Sequence, residues 1–362
     1  MKYIILFAIA ALITNFNYLI LTNDDYIVSL IYDESTSRLF AIHAQLPYRV
    51  EVYNGATLDN IATLNLPNGT YPVDAGFIQG AGRKIAVACV IDPYPERIPE
   101  PQEANIFLID PTTYSTQHIT FNYNSYMCDY VLYNPSYDCL YCSLSKSYVV
   151  DYSDDYVIVK YDITGQQVVT SEPYVGLDNI SYNIAESRIY HANGYPIIPL
   201  VEFNGKLVEN TETSTGVLSI YYDAGYRFQT SSIELEAPPN YAISDPSLPV
   251  NYVFAYKEDY EIMEMYFYIV SNEVASLIFT LENNYVINAC FYENKIYAVL
   301  FCSEVQPWGN RYSNDILVID LNCNEYDYIE DICPTGVTRI AVGDNRIYVL
   351  ESEGYKLHAI DL

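Results

Sequence analysis

The sequence predicts an all-β fold: a seven-bladed β-propeller with four antiparallel strands per blade and a ring closed by an N-terminal strand. Three observations predict it. A short phrase, a charged or turn residue followed by an apolar one and usually an aromatic, recurs at a step of about 50 residues, the length of a propeller blade. A second phrase, a β-rich run ending in Asp, follows most copies of the first. The chain also carries 40 Tyr, 13 Phe and 1 Trp, and aromatic side chains suit pleated, half-buried surfaces better than helices.

The first phrase reads Arg38-Leu39-Phe40, Cys139-Leu140-Tyr141, Arg188-Ile189-Tyr190, Lys295-Ile296-Tyr297 and Arg346-Ile347-Tyr348, with weaker copies at Lys84-Ile85-Ala86 and Tyr252-Val253-Phe254. An alternating run and a turn precede each copy, as in Val131-Leu132-Tyr133-Asn134-Pro135-Ser136, so each phrase belongs on the second strand of a hairpin. The Asp-terminated runs are Leu108-Ile109-Asp110, Lys160-Tyr161-Asp162, Tyr221-Tyr222-Asp223, Val318-Ile319-Asp320 and Ala359-Ile360-Asp361. They predict a third strand, and the turn residues after them, such as Thr164-Gly165, lead into a fourth. Seven copies result, with six and eight as the neighbouring counts. The last blade ends after three strands, and the apolar run from Asn17 to Thr22 is the strand expected to complete it and hide two sheet edges.

Residues 1–16 read as a signal peptide: Met1-Lys2-Tyr3, an apolar run from Ile4 to Ile13 that is too short to span a bilayer, then polar residues. Retention as an anchor is the competing reading, because apolar character continues through Leu21. Residues 17–362 then form a single propeller domain of a secreted, extracellular protein. The formal charge is −29, from 46 acidic and 17 basic side chains. That field repels phosphate backbones and excludes nucleic acid as a partner, while drawing in cations and basic proteins. Eight Cys permit disulfides in an exported chain, and Cys128 and Cys142 are the pair expected to face each other across one hairpin. Asn68-Gly69-Thr70 and Asn179-Ile180-Ser181 are N-glycosylation sequons.

This pattern resembles the broad propeller superfamily that includes the YVTN-type, NHL-type and lactonase-like folds, and the resemblance extends over nearly the whole chain after residue 16. The paired Gly of kelch blades, the WD dipeptide with its upstream Gly-His and the Asp-box of sialidases are absent from the sequence. The resemblance implies an architecture in which innermost strands line a channel, and in which the loops between second and third strands share a face with the loops joining blades.

The longest irregular segments fall in those loops. They are Pro93 to Glu103, Tyr195 to Gly216, and Ser303 to Asn314, which holds Trp308. Trp308, Tyr94 and Tyr195 are therefore candidates for stacking on a ligand. Asp74, Asp129 and Asp178 each precede the anchor of their blade (Ile85, Leu140, Ile189) by 11 residues. That spacing predicts equivalent positions on neighbouring inner strands. Three acids at one channel mouth form a hard oxygen-ligand site suited to calcium, with Asn179 and Asn288 adding amide oxygens. The four His residues fall in different blades, and the sequence has no HExxH, phosphate-cradling glycine loop or GxSxG. These observations favour a non-catalytic binding protein that holds a protein, glycan or small molecule on one propeller face. A calcium-dependent hydrolase or lactonase with its site at the channel mouth is the alternative.

Overall fold

The apolar alternation of the sequence resolves into hairpins that stand beside one another. The computed structural model describes residues 18–22, 26–66, 70–78, 82–91, 104–121, 126–135, 137–146, 155–170, 174–175, 179–183, 188–192, 200–203, 206–209, 216–223, 228–258, 263–282, 284–302, 312–352 and 356–362. Strand β1 (Tyr18–Thr22) is followed by β2–β5 (Ile27–Asp33, Arg38–His43, Arg49–Asn54, Asn60–Asn65) and β6–β9 (Thr70–Phe77, Ile85–Ile91, Ala104–Ile109, Thr116–Phe121). Next come β10–β14 (Tyr126–Asn134, Cys139–Lys146, Asp155–Asp162, Gln167–Thr170, Tyr174–Val175) and β15–β20 (Asn179–Asn183, Arg188–Ala192, Leu200–Phe203, Lys206–Glu209, Gly216–Asp223, Phe228–Leu235). The chain finishes with β21–β24 (Pro239–Ser244, Asn251–Glu258, Met263–Ser271, Val274–Glu282), β25–β28 (Asn284–Tyr292, Lys295–Cys302, Tyr312–Asp320, Glu325–Ile329) and β29–β31 (Val337–Gly343, Arg346–Glu351, Lys356–Asp361).

The expectation of seven blades with four strands each is corrected by the pairing. Six blades have four antiparallel strands, in the orders β2-β3-β4-β5, β6-β7-β8-β9, β15-β16-β19-β20, β21-β22-β23-β24, β25-β26-β27-β28 and β1-β31-β30-β29. The sheet of β10–β14 departs from that plan and has five strands. Its outer edge is divided: β13 pairs with the second half of β12 (Val159–Tyr161), and β14 with its start (Asp155, Tyr156). A separate hairpin, β17–β18, interrupts the blade between β16 and β19.

The first strand of each sheet lies innermost, save in the closing sheet, where β29 is innermost and β1 outermost. Neighbouring contacts run β2 to β6, β6 to β10, β10 to β15, β15 to β21, β21 to β25, β25 to β29, and back from β29 to β2. Apolar side chains fill the wedges between neighbouring sheets, so the core is a ring of clusters. One wedge packs Ile106 and Leu108 against Leu140 and Tyr161, and another packs Phe40 and Val50 against Ile85 and Phe107. The recurrent first phrase opens the second strand of each sheet, and its apolar member (Leu39, Ile85, Leu140, Ile296, Ile347) is a fully or almost fully buried wedge residue. Two-residue turns with both residues at positive φ close the hairpins at Glu293-Asn294 and Asp344-Asn345, the geometry that matches the right-handed twist of the flanking strands.

Strand β1 pairs antiparallel with β31, from Tyr18 opposite Ile360 to Thr22 opposite Lys356. Leu19 and Leu21 pack against the wedge that holds Ile27, Leu350 and Leu357, while Ile20 faces outward. The N-terminal segment therefore supplies the outer strand of the final blade, and it covers an edge that would otherwise offer unpaired backbone groups.

The recurrent Asp is a turn device between the third and fourth strands. Asp110 Oδ1 accepts from the Thr113 and Thr112 amides at 2.8 and 2.9 Å, and Asp320 Oδ1 from the Asn322 amide at 2.9 Å. Asp162 Oδ1 accepts from the Thr164 hydroxyl at 2.6 Å and from the Thr164 and Gln166 amides at 2.8 and 2.9 Å. These donors hold all three carboxyls below the usual carboxylate range. A carboxyl whose folded pKa is depressed stabilises the fold above its unfolded pKa, and that contribution is lost as pH falls through the folded value. The urea midpoint is thus expected to fall as pH drops below about 4. Replacing Asp110, Asp162 and Asp320 together by Asn, which keeps the turn acceptor and removes the titration, should flatten that slope. An equally steep slope in the triple variant would assign it to other carboxyls.

The expected Cys128–Cys142 link does not form. The register sets Cys128 opposite Leu144 and Cys142 opposite Val131, and the described cysteines are thiols. The two cysteines are therefore two residues out of step along the paired strands, even after the β-bulge between Cys128 and Tyr130. No described helix is long and apolar enough to cross a membrane.

Candidate functional site

Inner strands have a sheet neighbour on one side only, so the backbone groups on their other edge need partners. The described inner strands meet this need with a repeated irregularity. A bulge interrupts the pairing of six of them, between Ile27 and Ser29, Pro72 and Asp74, Cys128 and Tyr130, Pro239 and Tyr241, Val286 and Asn288, and Val337 and Arg339. A bulge bends its strand and re-aims the adjacent side chain. The first residue after each bulge is Ser29, Asp74, Tyr130, Tyr241, Asn288 or Arg339, and all six line one central cavity of about 540 Å³.

Polar side chains at or next to the bulges stitch one inner strand to the next. Asn240 Nδ2 donates to Val286 O at 2.5 Å, from β21 to β25. The Ile340 amide donates to Asn288 Oδ1 at 3.0 Å, from β29 to β25. Arg339 Nε donates to Val28 O at 2.9 Å, from β29 to β2, and Ser29 Oγ donates to Asp74 Oδ1 at 3.2 Å, from β2 to β6. The belt gives partners to backbone groups that the sheets leave over, and it fixes the orientation of the side chains in the mouth.

Its electrostatics centre on Asp74, Arg339 and Tyr241. Withdrawal from water pushes the Asp74 carboxyl above its usual range, and the Arg339 guanidinium, the Ala75 amide and Ser29 partly offset this. Burial likewise pushes the Tyr241 phenol up to about 12, and its hydroxyl donates to Ala289 O at 3.3 Å. Arg339 already spends Nε and NH1 on the Val28 and Thr338 carbonyls, both at 2.9 Å. The described lining holds two carboxyls, Asp74 and Glu34; Asp74 is the one beside an inner-strand bulge, with the Tyr241 ring nearby.

The antiparallel order within each sheet places the start of its inner strand at the same end as the connection from its second to its third strand. The bulged ends of the inner strands therefore open on the face where β7 is joined to β8, β11 to β12, β16 to β19 and β26 to β27.

The expectation of three equivalent acids is altered by the register. Asp74 pairs with Ala88, three residues past Ile85, whereas the residue opposite the corresponding Ser143 is Tyr130. Asp129 instead occupies the bulge of β10, because the anchor Ile85 pairs with Phe77, eight residues back, whereas the anchor Leu140 pairs with Tyr133, seven residues back. Equal sequence spacing thus leaves Asp129 one position short of Asp74. Asn288 does join Asp74 in the cavity lining, together with a guanidinium that competes with any bound cation. Asn179 opens β15, and the side chains of Asp129 and Asn179 lie outside the described residues. So do Asp178, Asn68, Tyr94, Tyr195 and Trp308.

Ser29, Tyr130, Asn240, Tyr241 and Arg339 were not singled out from sequence. The available signal was a lone polar residue inside an apolar inner-strand run, as in Val337-Thr338-Arg339-Ile340-Ala341 and Ile287-Asn288-Ala289.

No family model matches the chain, and no curated protein does. Solved structures do. The chain is similar to the β-propeller domain of Cps50 (Swd1) from Myceliophteria thermophila, with a TM-score of 0.60 at 10% identity, covering 96% of this chain and 98% of that one. It is also similar to a chain in the crystal structure of the mitotic checkpoint complex, with a TM-score of 0.59 at 11% identity, covering 94% and 93%. At such identities the likeness establishes the propeller fold and carries no activity. The sequence resemblance to YVTN-, NHL- and lactonase-type propellers accordingly stands as architecture alone.

Proposed function

We propose that this chain is an exported, non-catalytic binding scaffold that receives the basic segment of a protein partner at the bulged mouth of its channel. The observation that carries the reading is the Asp74 carboxyl, set in a cavity of about 540 Å³ and oriented by Ser29. A net charge of −29 adds long-range attraction for a basic partner. With Arg339 occupied by backbone carbonyls, Asp74 is the carboxyl at the bulged mouth that a lysine or arginine of the partner would meet, whereas Glu34, the other carboxyl of the lining, follows the far end of β2. The similarity to a chain solved within a multiprotein complex is consistent with a protein partner, while charge alone points to its basic character.

The test is calorimetric titration of the whole chain with an arginine-rich peptide and with a neutral peptide of equal length. Binding is expected for the basic peptide only, and it should weaken with added salt. Asp74→Asn should weaken it about tenfold while leaving the melting temperature close to that of the parent. Because burial raises the Asp74 pKa, the carboxylate forms only above the ordinary range, so affinity should rise with pH above about 4. Equal affinity in Asp74→Asn, or equal binding of the neutral peptide, would remove the reading. A calcium-dependent rise in melting temperature that vanishes in Asp74→Asn would favour the calcium-site alternative instead.

A further inference from the structure

The closing blade holds a second cluster, away from the channel. Cys333 lies in the connection from β28 to β29, Glu351 ends β30, and His358 sits in β31 opposite Ile20 of β1. They are 0%, 2% and 2% exposed. His358 Nε2 lies 2.9 Å from Glu351 Oε1, and the Cys333 sulfur, a Glu351 oxygen and a His358 nitrogen all fall within 4.8 Å of one another. Lys356 Nζ contacts Glu351 Oε2 at 3.2 Å from the more exposed side.

We propose that Cys333, Glu351 and His358 form a divalent metal site of the zinc type, which ties the last blade together where the ring closes. A sulfur, an imidazole nitrogen and a carboxylate oxygen are a zinc donor set, whereas calcium and magnesium take oxygen ligands alone. Around a tetrahedral zinc the donors stand about 3.3–3.8 Å apart, as the usual Zn–S, Zn–N and Zn–O lengths require. Donors within 4.8 Å of one another, with His358 and Glu351 at 2.9 Å, are near enough for small side-chain rotations to give that geometry.

The chemistry balances without any further reactant. Burial and the Glu351 carboxylate push the Cys333 thiol up to about 12, so a metal-free thiol keeps its proton at neutral pH. Zinc replaces that proton, the sulfur forms the metal bond as a thiolate, and one proton leaves to solvent. His358, whose pKa burial lowers, offers a neutral imidazole. Glu351 trades its hydrogen bond to His358 for the metal, and water takes the fourth position. The site would link the connection before β29 to β30 and β31, beside the register contact of His358 with Ile20.

The test uses the whole chain, stripped with a chelator and titrated with cobalt(II) as a spectroscopic probe. One equivalent is expected to produce an intense thiolate-to-cobalt charge-transfer band that zinc then displaces. Cys333→Ser should lose the band and weaken metal binding at least tenfold. Cys323→Ser, which removes an exposed thiol, should keep both. Should Cys333→Ser fail to fold, the parent chain decides by alkylation in mild denaturant followed by peptide mapping, in which zinc should protect Cys333 at least tenfold and leave Cys323 reactive. A missing band at saturating cobalt, a band that survives in Cys333→Ser, or failure of zinc to protect Cys333 would overturn the proposal.

Discussion

Gly76→Ala is expected to destabilise the protein by about 3 kcal/mol or more and to leave little folded material near physiological temperature. Gly76 sits in inner strand β6, and a Cβ there would lie 1.8 Å from Val131 O of β10 and 2.9 Å from Leu132 Cδ2. The obstruction is backbone in a strand pinned by its own hairpin, so relief requires two inner strands to separate and open the wedge between them. Gly343→Ala should cost less. Its Cβ would meet the Tyr32 ring at 2.0 Å, and a side chain can turn, though Tyr32 would forfeit its 2.5 Å hydrogen bond to Asp344 and its stacking on Tyr348. Gly82→Ala is the reference: φ is +73° and its Cβ would meet only Pro135 Cβ, in ordinary contact at 3.9 Å, so backbone strain of about 1 kcal/mol is the main cost. Urea midpoints should rank Gly82→Ala above Gly343→Ala and Gly343→Ala above Gly76→Ala. A Gly76→Ala protein as stable as Gly82→Ala would contradict the close approach of β6 and β10.

Removal of residues 17–22 from a chain that begins at Asn17 is the second large effect, with an expected loss of about 2–4 kcal/mol. Two terms contribute. Leu19 and Leu21 leave the wedge formed with Ile27, Leu350 and Leu357, and the edge of β31 from Lys356 to Ile360 loses its backbone partner. Exposure of that edge should also make the truncated chain associate, which light scattering would register as a concentration-dependent mass. Ile20→Lys supplies a control, since Ile20 is 52% exposed and its replacement should change the midpoint by less than about 0.5 kcal/mol. A truncated chain with an unchanged midpoint and a monomeric mass would mean that the ring holds without β1.

Much of this architecture was legible because single positions carry two constraints. Leu39, Ile85, Leu140, Ile296 and Ile347 recur because each begins a second strand and fills a wedge. Asp110, Asp162 and Asp320 recur because the same tight turn needs the same acceptor. The apolar residues of β1 stood out because no hairpin partner lies next to them in the chain. The divided edge of the β10–β14 sheet was not legible, since Tyr174-Val175 is too short to carry a periodic signal.

The candidate site was half legible. The spacing of 11 residues from Ile85 points to Asp74, and Asn288 enters as an added amide oxygen, but counting from the anchors assumes hairpins of one length. A single extra residue between the paired positions Phe77 and Ile85, relative to Tyr133 and Leu140, displaces Asp129 from Asp74. Arg339 and Tyr241 escaped because a bulge, which leaves no mark in hydrophobic alternation, turns them into the channel. Cys333, Glu351 and His358 come from separate elements and meet only through the registers of β29 with β30 and β30 with β31.

Localisation of the bound peptide tests the function most directly. Hydroxyl-radical footprinting of the whole chain, with and without a saturating arginine-rich peptide, reads side-chain exposure residue by residue. Protection is expected at Tyr130 and Tyr241 in the channel lining, with Tyr326 on the outer strand β28 unchanged. Protection confined to Tyr326 and other outer-strand residues, with Tyr130 and Tyr241 reacting as in the free protein, would contradict it.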